Sequence, residues 1–248
     1  GYNTEGDDEF IKSIPKKPQN QGIGALVYPD SYDLTKYMPP IGDQGRSGSC
    51  VAWTLSYYSM SMLYNKHFSI ADKTAKMALA FDPYYFYNSR FGNNYSIKQL
   101  CESGMTWSEA FNHAEETGNK RQALPPHDLN CQYGYDKEEF RETFYNSLGY
   151  KIRAAFYLDP EDYTYIDDIK FEIYNEKKPV PIAISYYGEG LRKAGNNGGY
   201  FQPNYTPNER SGHAMTIVGY DDFVNGGSVL VATVSYTHLR AHETGPYL

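Results

Sequence analysis

Between Val51 and Leu63 the chain reads VAWTLSYYSMSML, without a glycine, a proline or a charge. Such a run predicts a helix buried on most of its faces and beginning at Cys50. Helical patterning continues around Ala71–Ala80, in DPYYFYNSRF, after Trp107 and in DKEEFRETFYNSL. The Trp107 helix carries its own start signal, a capping box formed by Thr106 and Glu109. Beyond Gly149 the pattern changes: YKIRAAFYL and PVPIAISYY read as strands separated by an acidic helix, Glu161–Asn175. HAMTIVGY and SVLVATV then flank the turn Asp222–Gly227 as a hairpin. The order predicts an α+β protein with an arm over residues 1–27, a helical lobe over 28–149, an antiparallel β-rich lobe over 150–233 and a tail over 234–248. The arm is charged and rich in Pro, Gly and Asn, which predicts a mobile or surface-draped segment without chemistry of its own.

Composition narrows the function. With 248 residues and 40% hydrophobic content the chain can build a substantial core. Its 23 basic and 30 acidic residues give a net charge of −7 with no basic stripe, so no nucleic-acid partner is expected. No apolar run approaches the ~18 residues that would span a bilayer, and no signal peptide opens the chain. Tyrosine is frequent, at 26 residues, which suits a plain amphipathic core as well as carbohydrate or peptide contacts.

Three cysteines allow one pair and one remaining thiol. Cys101 and Cys131 bracket the Trp107 helix and a Pro-Pro loop, and could staple one to the other in an oxidising compartment; two buried, reduced cysteines are the alternative.

Cys50 is the third. It follows the flexible stretch DQGRSGS, and its place at a helix start would favour thiolate through the unpaired N–H groups and the dipole. A buried structural cysteine is the plain alternative. Gln44, six residues earlier, offers an amide donor within reach of the sulfur. A thiolate needs a base, and His213, at the head of a strand and flanked by Gly212 and Ala214, is the best placed of six histidines. His67, His113 and His127 are expected in polar, solvated settings.

DQGRSGSCVAW followed far downstream by GHAMTIVGYDD resembles the papain-like cysteine peptidases, with the match carried by Gln44, Gly48, Ser49, Cys50, Ala52 and His213. YDLTKYMPPIGDQG, CESGMTW and PVPIAISYY are similar to the family's N-terminal lead-in, its substrate-binding strip and the strand before its histidine. The resemblance implies a two-lobed α+β fold with the active site between the lobes. It implies Cys50 as nucleophile, His213 as its ion-pair partner and Gln44 with the Cys50 N–H as oxyanion donors. It further implies that Gly104 binds the substrate backbone and that Met105 and Ala214 line a side-chain pocket.

This sequence also departs from the family. Val51 stands where an aromatic is usual, Ser47 stands in place of a disulfide cysteine, and the Cys50-to-His213 span of 163 residues is long, with an insertion expected near Gly188–Arg210. The family's Asn-Ser-Trp-Gly motif is missing after GGSVLVAT. In its place VSYTHLRAHET resembles a translated sequencing adapter, so the catalytic asparagine is read as replaced. A zinc site at His238, His242 and Glu243 is disfavoured, because the order is not that of the zincins and a third ligand is lacking. The sequence reading is therefore a peptidase acting on peptide or protein substrates, monomeric, without cofactor or metal, and secreted, periplasmic or on the cell surface. A non-catalytic papain-like binding protein and a thiol acyltransferase or amidase remain the alternatives.

Overall fold

A computed structural model of the chain describes residues 7–18, 27–45, 47–89, 101–121, 150–152, 155–162, 164–186 and 211–234. Helix α1 is Asp7–Ser13, strand β1 is Ser31–Asp33, and a 3-10 turn follows at Thr35–Tyr37. Helix α2 (Cys50–Ala52) runs through wider π turns at Trp53–Met60 into α3 (Ser61–His67). All residues from Cys50 to Met62 are buried, which is what a run without a polar stripe demands of a helix.

Helices α4 (Lys73–Ala78), α5 (Pro83–Ser89) and α6 (Trp107–Glu116) follow among the described residues. Each start is fixed by a side chain. The Asp72 carboxylate accepts Ala75 N–H at 2.7 Å, and Asp82 accepts the N–H groups of Tyr84 and Tyr85 at 2.9 Å each. The expected capping box is present: Thr106 Oγ1 accepts Glu109 N–H at 3.0 Å and Glu109 Oε2 accepts Thr106 N–H at 2.9 Å.

Helix α7 is Tyr165–Phe171, extended by π turns at Glu172–Glu176. It is shorter than the Glu161–Asn175 expected, since residues 159–162 form a turn in which Asp159 accepts Glu161 N–H at 3.0 Å. Strands β2 (Val180–Tyr186), β3 (Ser211–Asp221) and β4 (Ser228–Ala232) pair antiparallel, with β3 central, β1 and β2 on it and β4 also paired to it. The hairpin turn carries a short 3-10 segment at Val224–Gly226. The β3/β4 register shifts between Ile217 and Gly219, and the Val218 carbonyl there accepts Leu34 N–H at 2.7 Å. Gly219 has to be glycine, because a Cβ would lie 2.8 Å from Asp33 Cβ on β1.

Three expectations change. YKIRAAFYL supplies no sheet strand among its described residues; Tyr157 makes only an isolated bridge to Lys16. The fourth strand is Ser31–Asp33, too short to show a period of its own. The arm's described residues 7–18, moreover, are packed against the rest of the chain. Asp7 is fully buried and its carboxylate accepts the N–H groups of Trp107 and Ser108 at 2.8 and 2.9 Å, while Phe10 stacks on Phe111 at 6.0 Å. Lys16 pairs with Asp159 and Asp162, and Lys17 with Glu172, tying the arm to α7 and the turn before it.

DKEEFRETFYNSL, the insertion at Gly188–Arg210, Cys131, His127 and residues 235–248 lie outside the described residues. Cys101 is disulfide-bonded and Cys50 is a free thiol.

Candidate active site

The core joins the two halves of the molecule where α2 meets β3. Cys50, Trp53, Tyr57, Tyr84, Met105, Ala214 and Ile217 share one buried cluster, and Thr216 Oγ1 donates to the Thr54 carbonyl at 3.2 Å. Gly42 makes that packing possible, since a Cβ there would sit 2.2 Å from the Trp53 ring.

Cys50 is the first residue of α2 and is fully buried. Its sulfur lies against the Ala214 backbone N–H, which lowers the thiol pKa along with the N–H groups of Val51 and Cys50 itself. Burial outweighs all three and leaves the thiol raised. Helix-start N–H groups and near-complete loss of water thus act in opposite directions on this thiol.

His213, next to Ala214 on β3 and opposite Ile184 on β2, is 4% exposed, and burial holds its imidazole to about 4. Burial thus acts against the charged form of both groups. His213 Nε2 lies 2.7 Å from Thr233 Oγ1. Thr233 directly follows β4, whose last residue, Ala232, pairs with Thr216. The sequence reading missed Thr233; its only signal was its position one residue before VSYTHLRAHET, where the family's asparagine was sought.

Gln44 is buried, and its side-chain N–H₂ donates to the Ser47 carbonyl at 2.8 Å, leaving a second N–H. Gly48 N–H donates to the Cys101 carbonyl at 2.8 Å, which joins the Gln44–Cys50 loop to the strip containing Gly104 and Met105. Met105 is fully buried in the core, while Gly104 is half-buried. Cys50 and Ala214 are thus brought into contact, His213 is adjacent through the chain, and Gln44 is joined to them through the loop. Of the histidines expected to be solvated, His67 is exposed, but His113 packs edge-on to Phe86 at 5.0 Å and burial holds it to about 4. Among the described residues no group of three or more His, Cys, Asp or Glu could hold a metal ion, and no helix is long and apolar enough to cross a membrane.

No family model matches the chain, and no curated protein sequence matches it. Solved structures do. The proCathepsin B S9 from Trypanosoma congolense is 17% identical with a TM-score of 0.57, over 89% of this chain and 72% of that one. Xylellain, a cysteine protease from Xylella fastidiosa, is 18% identical with a TM-score of 0.54, over 88% of this chain and 79% of its own. The procathepsin L2 proteinase of the Tenebrio molitor larval midgut is 17% identical with a TM-score of 0.56, over 90% of this chain and 64% of its own. An α+β chain with a cysteine at the start of its central helix, a histidine on the adjoining antiparallel strand and these structural neighbours has the papain-like cysteine-protease fold.

Proposed function

We propose that the protein is a cysteine-type peptidase in which Cys50 is the nucleophile and His213 its base. The observation that carries this reading is the seating of the Cys50 thiol on the backbone of Ala214, beside a histidine whose far nitrogen is held by Thr233. His213 takes the thiol proton to form the thiolate–imidazolium pair, and Cys50 Sγ bonds to the peptide carbonyl carbon. The carbonyl electrons move to oxygen, which receives the second Gln44 N–H and the Cys50 N–H. Collapse breaks the C–N bond, the amine leaves with the proton held by His213, and water hydrolyses the thioester to release acid and thiol. Gly104 holds the substrate backbone, and Met105 and Ala214 bound the pocket beside it.

The helical part over 28–149 and the β-rich part over 150–233 are the two lobes, and the protein acts as a monomer. The Cys101 disulfide supports a secreted, periplasmic or surface location. A net charge of −7 favours no nucleic-acid partner.

A second reading, a papain-like binding protein without turnover, is favoured by the full burial of Cys50. Fluorogenic peptide hydrolysis by the chain, by Cys50→Ala and by His213→Ala tests the choice. Cleavage by the chain that both substitutions abolish supports the peptidase; cleavage that survives Cys50→Ala, or none by any protein, overturns it. Amine acceptors added to the same assay separate hydrolysis from acyl transfer.

A further inference from the structure

Ser49 occupies the N-cap of α2, a position where a serine hydroxyl ordinarily accepts a helix N–H, yet its side chain makes no capping bond. Its oxygen lies instead 2.5 Å from Ser47 Oγ. Ser47 Oγ donates to the Gln44 carbonyl at 2.9 Å and lies 3.1 Å from the Tyr84 hydroxyl, which itself donates to the same Gln44 carbonyl at 2.7 Å. All four residues are at most 3% exposed.

One proton assignment makes three of these contacts hydrogen bonds and leaves the 3.1 Å approach of Ser47 Oγ to the Tyr84 hydroxyl as a plain oxygen–oxygen contact. Tyr84 and Ser47 each give their hydroxyl proton to the Gln44 carbonyl, and Ser49 gives its proton to Ser47 Oγ. A main-chain carbonyl in a loop is thereby held by two buried hydroxyls, and the chain of contacts ends at the residue preceding Cys50. A helix cap forgone and a tyrosine hydroxyl taken into the core are costs that general packing does not require. Both are explained if the Gln44 backbone must be fixed relative to Cys50. Tyr84 reaches this loop from α5, where Asp82 holds its backbone N–H and the Trp53 ring packs edge-on at 5.8 Å, so its hydroxyl has little freedom.

We propose that Tyr84 is a positioning residue: through the Gln44 carbonyl, with Ser47 and Ser49, it holds the Gln44 side-chain amide where the oxyanion forms. This rests on the peptidase reading for its consequence in catalysis, but not for the positioning itself. Two measurements separate them. In full-length chain labelled with ¹⁵N-glutamine, the Gln44 side-chain amide, identified by its absence in Gln44→Ala, is expected to be protected from solvent exchange and to lose protection about tenfold in Tyr84→Phe. In kinetics, Tyr84→Phe is expected to lower kcat about tenfold with KM within about twofold, and to weaken a peptide aldehyde, whose hemithioacetal carries the oxyanion, by the same factor. Alkylation of Cys50 by iodoacetamide, which forms no oxyanion, should change less than about twofold. In a Gln44→Ala background Tyr84→Phe should cost nothing further. Ser47→Ala, the second variant, should show the same pattern and serves if Tyr84→Phe does not fold.

A parent chain that cleaves no peptide but shows the exchange result defeats the peptidase reading and leaves the positioning standing. A cleaving parent with parental kcat and parental Gln44 protection in Tyr84→Phe overturns the proposal alone. So does an equal loss in the aldehyde and iodoacetamide reactions, which would mark a merely structural role.

Discussion

His213 Nε2 and Thr233 Oγ1 lie 2.7 Å apart, a contact that joins β3 to the residue directly following β4. The imidazole is thus oriented by a hydroxyl, although the Asn-Ser-Trp-Gly motif is missing from the sequence.

Removing the hydroxyl at nearly constant volume should expose its value. One neutral hydrogen bond contributes about 1 kcal/mol, so Thr233→Val is expected to lower kcat/KM roughly fivefold and Thr233→Ser to retain parental turnover. Steady-state kinetics on one peptide decides it, and equal rates for the parent and the valine variant would remove Thr233 from the site.

Burial raises the Cys50 thiol, so alkylation in the resting protein should be slow at mildly acidic pH and climb continuously through pH 9. The rate of iodoacetamide modification, followed by mass spectrometry, gives the curve. A plateau already reached by pH 6 would instead show a resting ion pair. Stability follows the same sign. Above the unfolded thiol's value of about 8.5 the unfolded chain releases a proton that the folded chain keeps, so this group's contribution is lost as pH rises.

Two buried histidines act at the acid end. His213 and His113 are both held to about 4, against 6.5 when solvated. The unfolded chain therefore takes up protons that the folded chain refuses. The contribution is complete above pH 6.5 and is lost as pH falls toward 4, by roughly 3 kcal/mol for each group. Urea unfolding at pH 7 and pH 4.5 should show this loss, and His113→Phe, which keeps an aromatic beside Phe86, should reduce it. Identical losses in parent and variant would count against the assignment.

Asp7 ties the arm to α6 through two N–H groups of that helix's first turn, from a fully buried position. A capping carboxylate of this kind contributes about 1–2 kcal/mol, so Asp7→Ala should lower Tm by several degrees. A shift below about 1 °C in calorimetry would show that the arm's packing does not depend on this contact.

Much was legible in the sequence because it was local. The unbroken run after Cys50 dictated a central helix, Thr106 and Glu109 dictated the start of α6, and PVPIAISYY and the Asp222–Gly227 turn dictated the strands around His213. The Gln–Cys–His order, read as a resemblance, pointed to the fold that the structural neighbours share. What stayed hidden depends on contacts between residues far apart in the chain. The three-residue β1 gains its identity only by pairing with β3, and Asp7 reaches a helix a hundred residues away. The burial of Cys50 and His213 is the clearest case. Sequence shows a thiol at a helix start, which lowers its pKa, whereas only the packed structure shows how much water is lost around it, which pushes the pKa up.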